Sequence, residues 1–346
     1  MIEQRDLNII FNNPIDWEYF RNKTILVTGA TGRLGMYLVE AFCEADLRWN
    51  LNMRVVALAR SKDKLNWVFG TTLDLPNVRV LVQDIMDEID CAEHVDIIFH
   101  TAGMASPSEF TATPVETLWG HVQGTRNVLE LAKKHKSQQV FYVSTVEIYG
   151  EWKKDALICE DDMGPMECNR ARSCYPEAKR LCETMLASYM QQYNVGYRGV
   201  RCCHTFGPGI SLHDGRAFAE FLRSVLEKRD IVLQSDGSAM RTYTYVADAI
   251  GAMLLIASKG KDGEFYNVAN IDNLVSIRDL AKMIAGLHPE YKVDVIFDDE
   301  KKTALQYLPF KLAIMNVDKI KALGWNPCVG LEEAFSYTLD SFSQRS

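Results

Sequence analysis

Residues 24–35 of the chain read Thr24-Ile25-Leu26-Val27-Thr28-Gly29-Ala30-Thr31-Gly32-Arg33-Leu34-Gly35. An apolar run ends in closely spaced glycines, and an amphipathic stretch from Leu34 to Ala45 follows directly. Glycines between a strand and a helix allow a tight turn and a close approach of the backbone to a pyrophosphate at the positive end of the helix. This stretch predicts a dinucleotide site formed by Gly29, Thr31, Gly32, Arg33, Leu34 and Gly35. The alternative is a tight turn that binds no ligand. The sequence that follows is needed to distinguish these two interpretations.

Short apolar runs rich in β-branched residues alternate with longer helical patterns through the first two-thirds of the chain. This alternation is typical of parallel βαβ units, in which a helix connects each pair of strands. We predict an α/β fold, a Rossmann-like doubly wound parallel sheet. Its strands are expected at Thr24–Val27, Arg54–Leu58, Val78–Val82, Asp96–His100, Val140–Ser144 and Gly199–Cys202, and its helices at Leu34–Ala45, Val115–His135 and Tyr175–Tyr193.

After Arg201 the pattern loosens into loops that contain glycine and proline. A helix at Ala217–Lys228, a strand at Ile231–Gln234 and a helix at Ile277–Leu287 are still expected there. We predict a dinucleotide-binding domain at residues 1–202, to which a segment near 241–270 returns. Residues 203–346 are expected to form mainly a smaller, interleaved substrate lobe.

Composition excludes several classes of protein. With 346 residues the chain can bury a large core, and its formal charge of −8 argues against a nucleic-acid partner. No apolar stretch is long enough to span a bilayer, so we expect no membrane association and a cytoplasmic location. The nine cysteines show no pair at the two-residue spacing of zinc or redox motifs, so we expect reduced thiols and no metal.

Residues at the ends of the next three strands are candidates for the rest of the dinucleotide. The second strand ends in Arg60, where an NAD enzyme often has an acidic residue. Arg60 would meet a 2′-phosphate, stack on adenine or simply lie in solvent, so NAD is expected and NADP stays open. Asp84 and Ile85 are placed to meet the adenine end. The small residues Thr101, Ala102 and Gly103 would lie along the backbone of the cofactor.

Tyr175 and Lys179 place a phenol and an ammonium four residues apart, which is one face of a helix. A nearby ammonium favours the phenolate, so Tyr175 is expected to act as a base near neutral pH, and Lys179 to hold the nicotinamide ribose. This spacing also occurs in ordinary surface helices. The order of the motifs favours a catalytic pair over a surface pair. The glycine turn, Thr101–Gly103, Thr145 and Tyr175 all follow strands whose carboxyl ends meet at one edge of the sheet.

In this order of motifs the chain resembles the extended short-chain dehydrogenase/reductases of the NAD-dependent epimerase/dehydratase family, and within it the UDP-glucuronate decarboxylases (UDP-xylose synthase type). The resemblance covers about residues 23–287. The segments that carry it are His100-Thr101-Ala102, Ala105-Ser106-Pro107, Arg172-Ser173-Cys174-Tyr175, Lys179-Arg180, Thr205-Phe206-Gly207-Pro208, Asp214-Gly215-Arg216 and Arg241-Thr242-Tyr243-Thr244-Tyr245-Val246.

The resemblance implies a role for each candidate side chain. Thr145 would bond the sugar C4 hydroxyl, Tyr175 would take its proton, and Glu147 and Arg241 would serve the chemistry near C5 and C6. Substrate binding would fall to Ser106, His204, Arg216 and Arg241, with Arg216 near the diphosphate. Structural alternatives are that Thr145 only ends a strand, that Arg241 pairs with a surface carboxylate and that Glu147 is a satisfied helix-cap partner.

Three reactions follow from a ketone formed at C4. A C6 carboxylate becomes a β-keto acid and leaves as carbon dioxide, a C6 hydroxyl leaves as water after C5 loses its proton, or the keto-sugar turns over and is reduced on its other face. Glu147 favours the first two, and Val146 weakens dehydration because the dehydratases have a proton-donating aspartate there. We therefore expect decarboxylation of a UDP-hexuronic acid, with 4,6-dehydration or 4-epimerisation as the alternative.

Two histidines depart from the family pattern, which usually has asparagine at their positions. His121 is interpreted either as a packing substitute or as a sign of a different sugar, and so is His204, which is expected to titrate near neutral pH. A catalytically silent, cofactor-binding regulator is the alternative from another class. The resemblance also implies a homodimer and a supply of precursors for surface polysaccharides.

Overall fold

The computed structural model describes residues 2–154, 156–297 and 314–343. Its strands are β1 (Thr24–Thr28), β2 (Arg54–Ala59), β3 (Val78–Val82), β4 (Ile97–His100), β5 (Gln139–Thr145), β6 (Tyr197–Cys202), β7 (His204–Phe206), β8 (Ile231–Leu233), β9 (Met240–Tyr245), β10 (Glu264–Val268), β11 (Leu274–Ser276) and β12 (Val295–Phe297). Its helices are α1 (Gln4–Phe11), α2 (Arg33–Trp49), α3 (Lys62–Phe69), α4 (Pro107–Ala112), α5 (Pro114–His135), α6 (Cys174–Tyr193), α7 (Ala217–Leu226), α8 (Val246–Lys259), α9 (Ile277–Gly286), α10 (Asp318–Lys321) and α11 (Leu331–Ser343).

Seven parallel strands form the central sheet in the order β10-β6-β5-β4-β1-β2-β3. The chain leaves β1 towards β2 and β3 and then crosses to β4 on the other side of β1. The strand order therefore reverses beside β1, and in open α/β sheets this reversal opens a crevice for ligands at the carboxyl ends of the strands. The predicted fold class is confirmed, and the six predicted strands agree with the structure to within two residues.

The core lies on both faces of this sheet. Successive residues of β1 point to opposite faces, so Ile25 and Val27 belong to one buried cluster and Leu26 to the other. Parallel sheets are covered by helices on both faces, which explains why β1 is an uninterrupted apolar run with every residue buried.

The second half of the chain completes the central sheet and forms two small sheets of its own. β10 pairs in parallel with β6 and completes the central sheet, whereas β9 lies between β11 and β7 in a small three-stranded sheet. β8 and β12 form a two-stranded parallel pair. The large apolar cluster continues from the central sheet into this second part, where Phe206 stacks on Phe335 with ring centroids 4.0 Å apart. The division into two lobes stays a prediction, but the two parts share one core.

Helix α1 is tied to both parts through Asp6. The carboxylate of Asp6 is fully buried and accepts hydrogen bonds from the Tyr37 hydroxyl at 2.6 Å and the Tyr245 hydroxyl at 2.9 Å. Tyr37 belongs to α2 and Tyr245 to β9, so one buried side chain near the start of the chain contacts the glycine-turn helix and the small sheet together.

In the part of the chain that the structure describes, no helix combines the length and the apolar character that a bilayer crossing requires.

Candidate active site

The glycine turn between β1 and α2 packs against the segment that follows β4. Gly29 has φ +66°, and a Cβ atom added there would lie 2.7 Å from Ala102 Cα. A Cβ atom on Gly35 would lie 2.4 Å from the Gly29 carbonyl oxygen. Both positions therefore require glycine. Thr31 and Gly32 lie on the open side of the turn, where a Cβ atom on Gly32 would approach only the Gly29 oxygen, at 3.2 Å.

Arg33, the first residue of α2, supports a phosphate ligand at this turn. Its Nη2 donates to the Thr205 carbonyl at 2.7 Å, whereas its buried Nε has no hydrogen-bond partner among the described residues. Burial, followed by the positive charge of Arg216, lowers the pKa of Arg33 to about 10. Leu34, beside it, packs against the core. Two adjacent guanidinium groups and an open helix N-terminus fit the diphosphate of a dinucleotide.

The residues predicted for the adenine end lie together at the ends of β2 and β3. The Arg60 side chain is 78% exposed, and its Nη1 lies 4.0 Å from the Asp84 carboxylate. The Ile85 carbonyl accepts a hydrogen bond from Asn127 Nδ2 at 2.9 Å, which fixes the loop against α5. Because Arg60 is exposed and paired only loosely, this geometry leaves the choice between NAD and NADP open.

The segment after β4 is held against the end of β1. Thr101 Oγ1 donates to the Thr28 carbonyl at 2.7 Å, and the Ala102 N–H donates to Thr28 Oγ1 at 3.3 Å. Gly103 has φ +150°, and a Cβ atom there would lie 2.3 Å from Cε1 of the His121 ring. The ring of His121 therefore fills the space beside Gly103.

Ser106 and Arg216 lie on neighbouring loops at the mouth of the site. The Ser106 N–H donates to the Glu109 carboxylate at 3.3 Å, in a capping box at the start of α4. A Cβ atom on Gly215 would lie 3.3 Å from Ser108, so the two loops are in contact. Arg216 pairs with Asp214 through an Nη2–Oδ2 contact of 2.6 Å.

Tyr175 and Lys179 lie one turn apart at the start of α6. Lys179 Nζ donates to the Val143 carbonyl at 2.7 Å and lies 6.0 Å from the centre of the Tyr175 ring. Burial lowers the pKa of Lys179 to about 8. The predicted pair is therefore brought to one place, at the end of β5, without direct contact between the two polar groups.

The Tyr175 ring is enclosed by two other rings. Phe110 of α4 stacks on it with centroids 4.2 Å apart and an interplanar angle of 13°, and His121 meets it edge-on at 5.3 Å. Burial, followed by the negative charge of Glu147, raises the pKa of Tyr175 above its usual value, although a hydrogen bond with Thr145 lowers it. The role of Tyr175 as a base assisted by Lys179 stays a prediction.

Thr145 and Glu147 lie at the end of β5 and in the helical turn Val146–Tyr149 that follows it. Thr145 Oγ1 accepts the Glu147 N–H at 3.3 Å. The Glu147 carboxylate accepts hydrogen bonds from Arg172 Nη2 at 3.1 Å on each oxygen, with both side chains largely buried. Glu147 is thus the partner of an arginine, and its backbone N–H is also the group that Thr145 caps at the start of the turn.

Arg241 of β9 and His204 of β7 complete the second wall. Arg241 Nη1 donates to the adjacent Met240 carbonyl at 2.7 Å, and no ion pair of Arg241 occurs within the described ranges. Burial lowers the pKa of Arg241, while Tyr243 and Glu147 raise it. Val146 lines the same small pocket as Arg241 and His204.

The expectation that His204 titrates near neutral pH is wrong. Its ring lies 5.5 Å from the Tyr243 ring, and burial, followed by the positive charges of Arg241 and Arg216, lowers its pKa to about 3. His204 is therefore neutral across the physiological range in this environment.

Two residues of this site, Phe110 and Arg172, were not predicted from the sequence. Arg172 belongs to the motif Arg172-Ser173-Cys174-Tyr175 but had no role assigned to it. It lies at the positive end of α6, where the helix dipole disfavours a cation, and this unusual position could have indicated a function. Phe110 lies in a short helix that the analysis did not predict, so only the structure reveals its contact with Tyr175.

A phenol, a hydroxyl and an ammonium thus lie at the same edge of the sheet as a dinucleotide-type glycine turn, which is the arrangement expected of an enzyme that works with a bound dinucleotide. The model of the NAD dependent epimerase/dehydratase family matches residues 25–269. The chain belongs to this family of enzymes, as its motifs suggested.

Relatives and solved structures agree with this assignment. UDP-glucuronic acid decarboxylase 6 from Arabidopsis thaliana is 29% identical over 332 residues, which cover 94% of this chain and 90% of that protein. UDP-glucose 4-epimerase from Thermotoga maritima, with UDP-glucose, has a TM-score of 0.78 at 24% identity and covers 93% of this chain and 99% of its own. The dTDP-glucose 4,6-dehydratase from Streptomyces venezuelae, with NAD bound, has a TM-score of 0.77 at 22% identity, covering 93% and 97%. The structural likenesses support the fold.

Proposed function

We propose that this enzyme decarboxylates a UDP-hexuronic acid after transient oxidation of the sugar at C4, which is a lyase reaction. The observation that carries the proposal is Arg241. It is partly buried, its described hydrogen bond goes only to a backbone carbonyl, and it forms no ion pair among the described residues, although the negative charge of Glu147 is near enough to raise its pKa. Buried charges are normally paired, so an anionic substituent of the substrate is the natural partner. The names of the relatives, UDP-glucuronic acid decarboxylases, point to the same substrate class.

The described side chains would divide the reaction between them. Thr145 orients the C4 hydroxyl and Tyr175 takes its proton, and bound NAD supplies the hydride acceptor and later the hydride donor. The C4 ketone makes the C6 carboxylate a β-keto acid. The C5–C6 bond then breaks, carbon dioxide leaves, and the bonding electron pair passes into an enolate that is protonated at C5. Arg33 would hold the diphosphate of the dinucleotide, and Arg216 the diphosphate of the nucleotide sugar.

The alternative of 4,6-dehydration is less well supported. It needs an acid to protonate the leaving C6 hydroxyl, and the residue between Thr145 and Glu147 is Val146, which has no proton to donate. It also needs a base at C5, and protonation of Glu147 would neutralise the carboxylate of its ion pair with Arg172.

Purified protein offered UDP-glucuronate, UDP-galacturonate and UDP-glucose in separate reactions tests the proposal. We expect carbon dioxide and a pentose nucleotide from one of the two uronates, measured by mass spectrometry. Loss of water would instead identify a dehydratase, and an isomer of unchanged mass an epimerase. No conversion despite bound cofactor would favour a silent regulator.

We propose NAD as the cofactor, because the family is described as NAD dependent and the dehydratase of matching fold has NAD bound. Mass spectrometry of the nucleotide released from the denatured protein tests this choice. Recovery of NADP would contradict it and would assign the 2′-phosphate to Arg60.

We also propose a cytoplasmic homodimer that supplies precursors for surface polysaccharides, with α5 and α6 at its interface. These helices pack side by side and expose large apolar side chains, Val115, Trp119 and Leu181. Exposed apolar patches often mark interfaces. Light scattering should give the mass of two chains for the parent protein and of one chain for Leu181→Glu, and a monomeric parent would contradict the proposal.

A further inference from the structure

Arg172 makes an ion pair that connects the two catalytic segments. Glu147 lies in the turn after β5, Arg172 lies in the turn Ala171–Ser173 before α6, and one Nη2 donates to both carboxylate oxygens. The two side chains are only 12% and 15% exposed. Thr145 precedes one partner by two residues and Tyr175 follows the other by three, so the pair fixes the distance between the segments that carry the hydroxyl and the phenol.

Arg172 is also part of the aromatic stack around Tyr175. Its guanidinium carbon lies 4.9 Å from the centre of the Phe110 ring, and the same ring stacks on Tyr175. Nε and Nη1 of Arg172 are buried and have no hydrogen-bond partner among the described residues. An arginine held in this way at the positive end of a helix is costly. The compensation that the structure offers is the Glu147 carboxylate.

We propose that Arg172 is a positioning residue that holds Glu147 as a fixed anion beside the reacting sugar and keeps it from removing the C5 proton. This rests on the proposed oxidation at C4, because only the ketone makes the C5 proton acidic. A carboxylate that accepts two hydrogen bonds from a buried arginine loses the charge of its ion pair when it takes up a proton, so the pair opposes removal of the C5 proton. A carboxylate without the arginine has no ion pair to lose. The ion pair therefore separates decarboxylation from unwanted exchange or elimination at C5.

Deuterium at C5 reports this role directly. Decarboxylation in deuterium oxide replaces the C6 carboxylate by one solvent-derived deuterium and leaves the original C5 hydrogen in place. If Glu147 removes that hydrogen from the keto intermediate, the product carries two deuterium atoms at C5. Mass spectrometry and proton NMR of the product distinguish one from two.

We expect the parent enzyme to give one deuterium atom at C5 and Arg172→Gln to give a substantial fraction with two. The kcat of Arg172→Gln should fall by roughly tenfold or more with little change in KM, because a positioning residue acts on the chemical step. The double variant Arg172→Gln/Glu147→Gln is the matched control, since without the carboxylate the second deuterium should disappear. Arg172→Lys, which keeps the charge but offers no fork, should fall between the two.

Every other result overturns the proposal. Two deuterium atoms in the parent product would show that Glu147 already acts as a base, and a single one in Arg172→Gln would show that Arg172 does not restrain it. If neither Arg172→Gln nor Arg172→Lys retains bound cofactor, Arg172 has a purely structural role and the proposal is wrong. If the parent enzyme epimerises its sugar instead, the proposed function fails, but loss of the C5 hydrogen still tests Arg172 independently.

Discussion

Tyr175 illustrates how the surroundings of one residue decide its chemistry. The sequence motif of a tyrosine four residues before a lysine identifies the pair, but it does not reveal that Phe110 covers the phenol ring or that Glu147 lies near it. Both features depend on contacts between distant segments. For the same reason the expected titration of His204 is wrong, because its burial and its two arginine neighbours come from other elements.

Removal of the phenol hydroxyl tests its role in proton transfer. Tyr175→Phe keeps the ring that stacks on Phe110, so the fold and the bound cofactor should be unchanged. Turnover should fall by roughly 10²–10⁴, the usual contribution of a general acid or base. Steady-state kinetics and the absorbance of the retained cofactor measure the two effects. Full turnover in this variant would remove Tyr175 from the mechanism.

Buried neutral histidines make the stability of the folded chain depend on pH. The pKa of His204 is about 3 in the fold, against an ordinary value near 6.5. As the pH falls from about 6.5 towards 3, the unfolded chain binds a proton that the folded chain does not, so the free energy of unfolding decreases. His204→Asn should make this decrease less steep in urea denaturation experiments. The same slope in both proteins would contradict the assigned environment.

At the scale of elements, the glycine turn depends on contact between α2 and β1. Gly35 lies in a helix and has no positive φ, so Gly35→Ala causes no backbone strain. Its effect comes from a steric clash, because the added Cβ atom would lie 2.4 Å from the Gly29 oxygen and 2.8 Å from Ala30 Cα. We expect a loss of about 1–3 kcal/mol in the free energy of unfolding, which is typical of overpacking, together with loss of bound cofactor.

Gly286, the last residue of α9, offers a matched control because a Cβ atom there meets nothing within 4 Å. Gly286→Ala should leave both stability and cofactor content near those of the parent. Thermal unfolding and cofactor absorbance compare the two variants. Equal effects at both positions would show that the close contact at Gly35 is unimportant.

The elements that sequence analysis predicted well are those with a strong local pattern. β1 to β6 are strands of four to seven residues that contain β-branched or aromatic residues, and α5 and α6 are long amphipathic helices, so their own residues largely define them. β7, β9, β11 and β12 are short or polar, and they become strands only through partners elsewhere in the chain. The small sheet that carries His204 and Arg241 was therefore not predicted, although both residues were.

At the scale of the whole molecule, Asp6 connects α1 to the two parts of the protein. Asp6→Ala would leave the buried hydroxyls of Tyr37 and Tyr245 without their acceptor, at a cost of about 1–3 kcal/mol for each. We expect a clear fall in melting temperature measured by calorimetry. Glu3→Ala removes only an exposed ion pair with Arg5 and should change little. Similar melting temperatures for all three proteins would contradict this role of α1.

The pairing of β10 with β6 has a consequence for synthesis on the ribosome. The outer edge of β6 carries unpaired N–H and C=O groups until residues 264–268, in the last quarter of the chain, have emerged. Such an edge can recruit strands from other chains, and large domains expose it while they are still being made. A nascent chain arrested before residue 264 would thus keep an unpaired strand edge, and we expect late translation to be the period when it is most prone to aggregate.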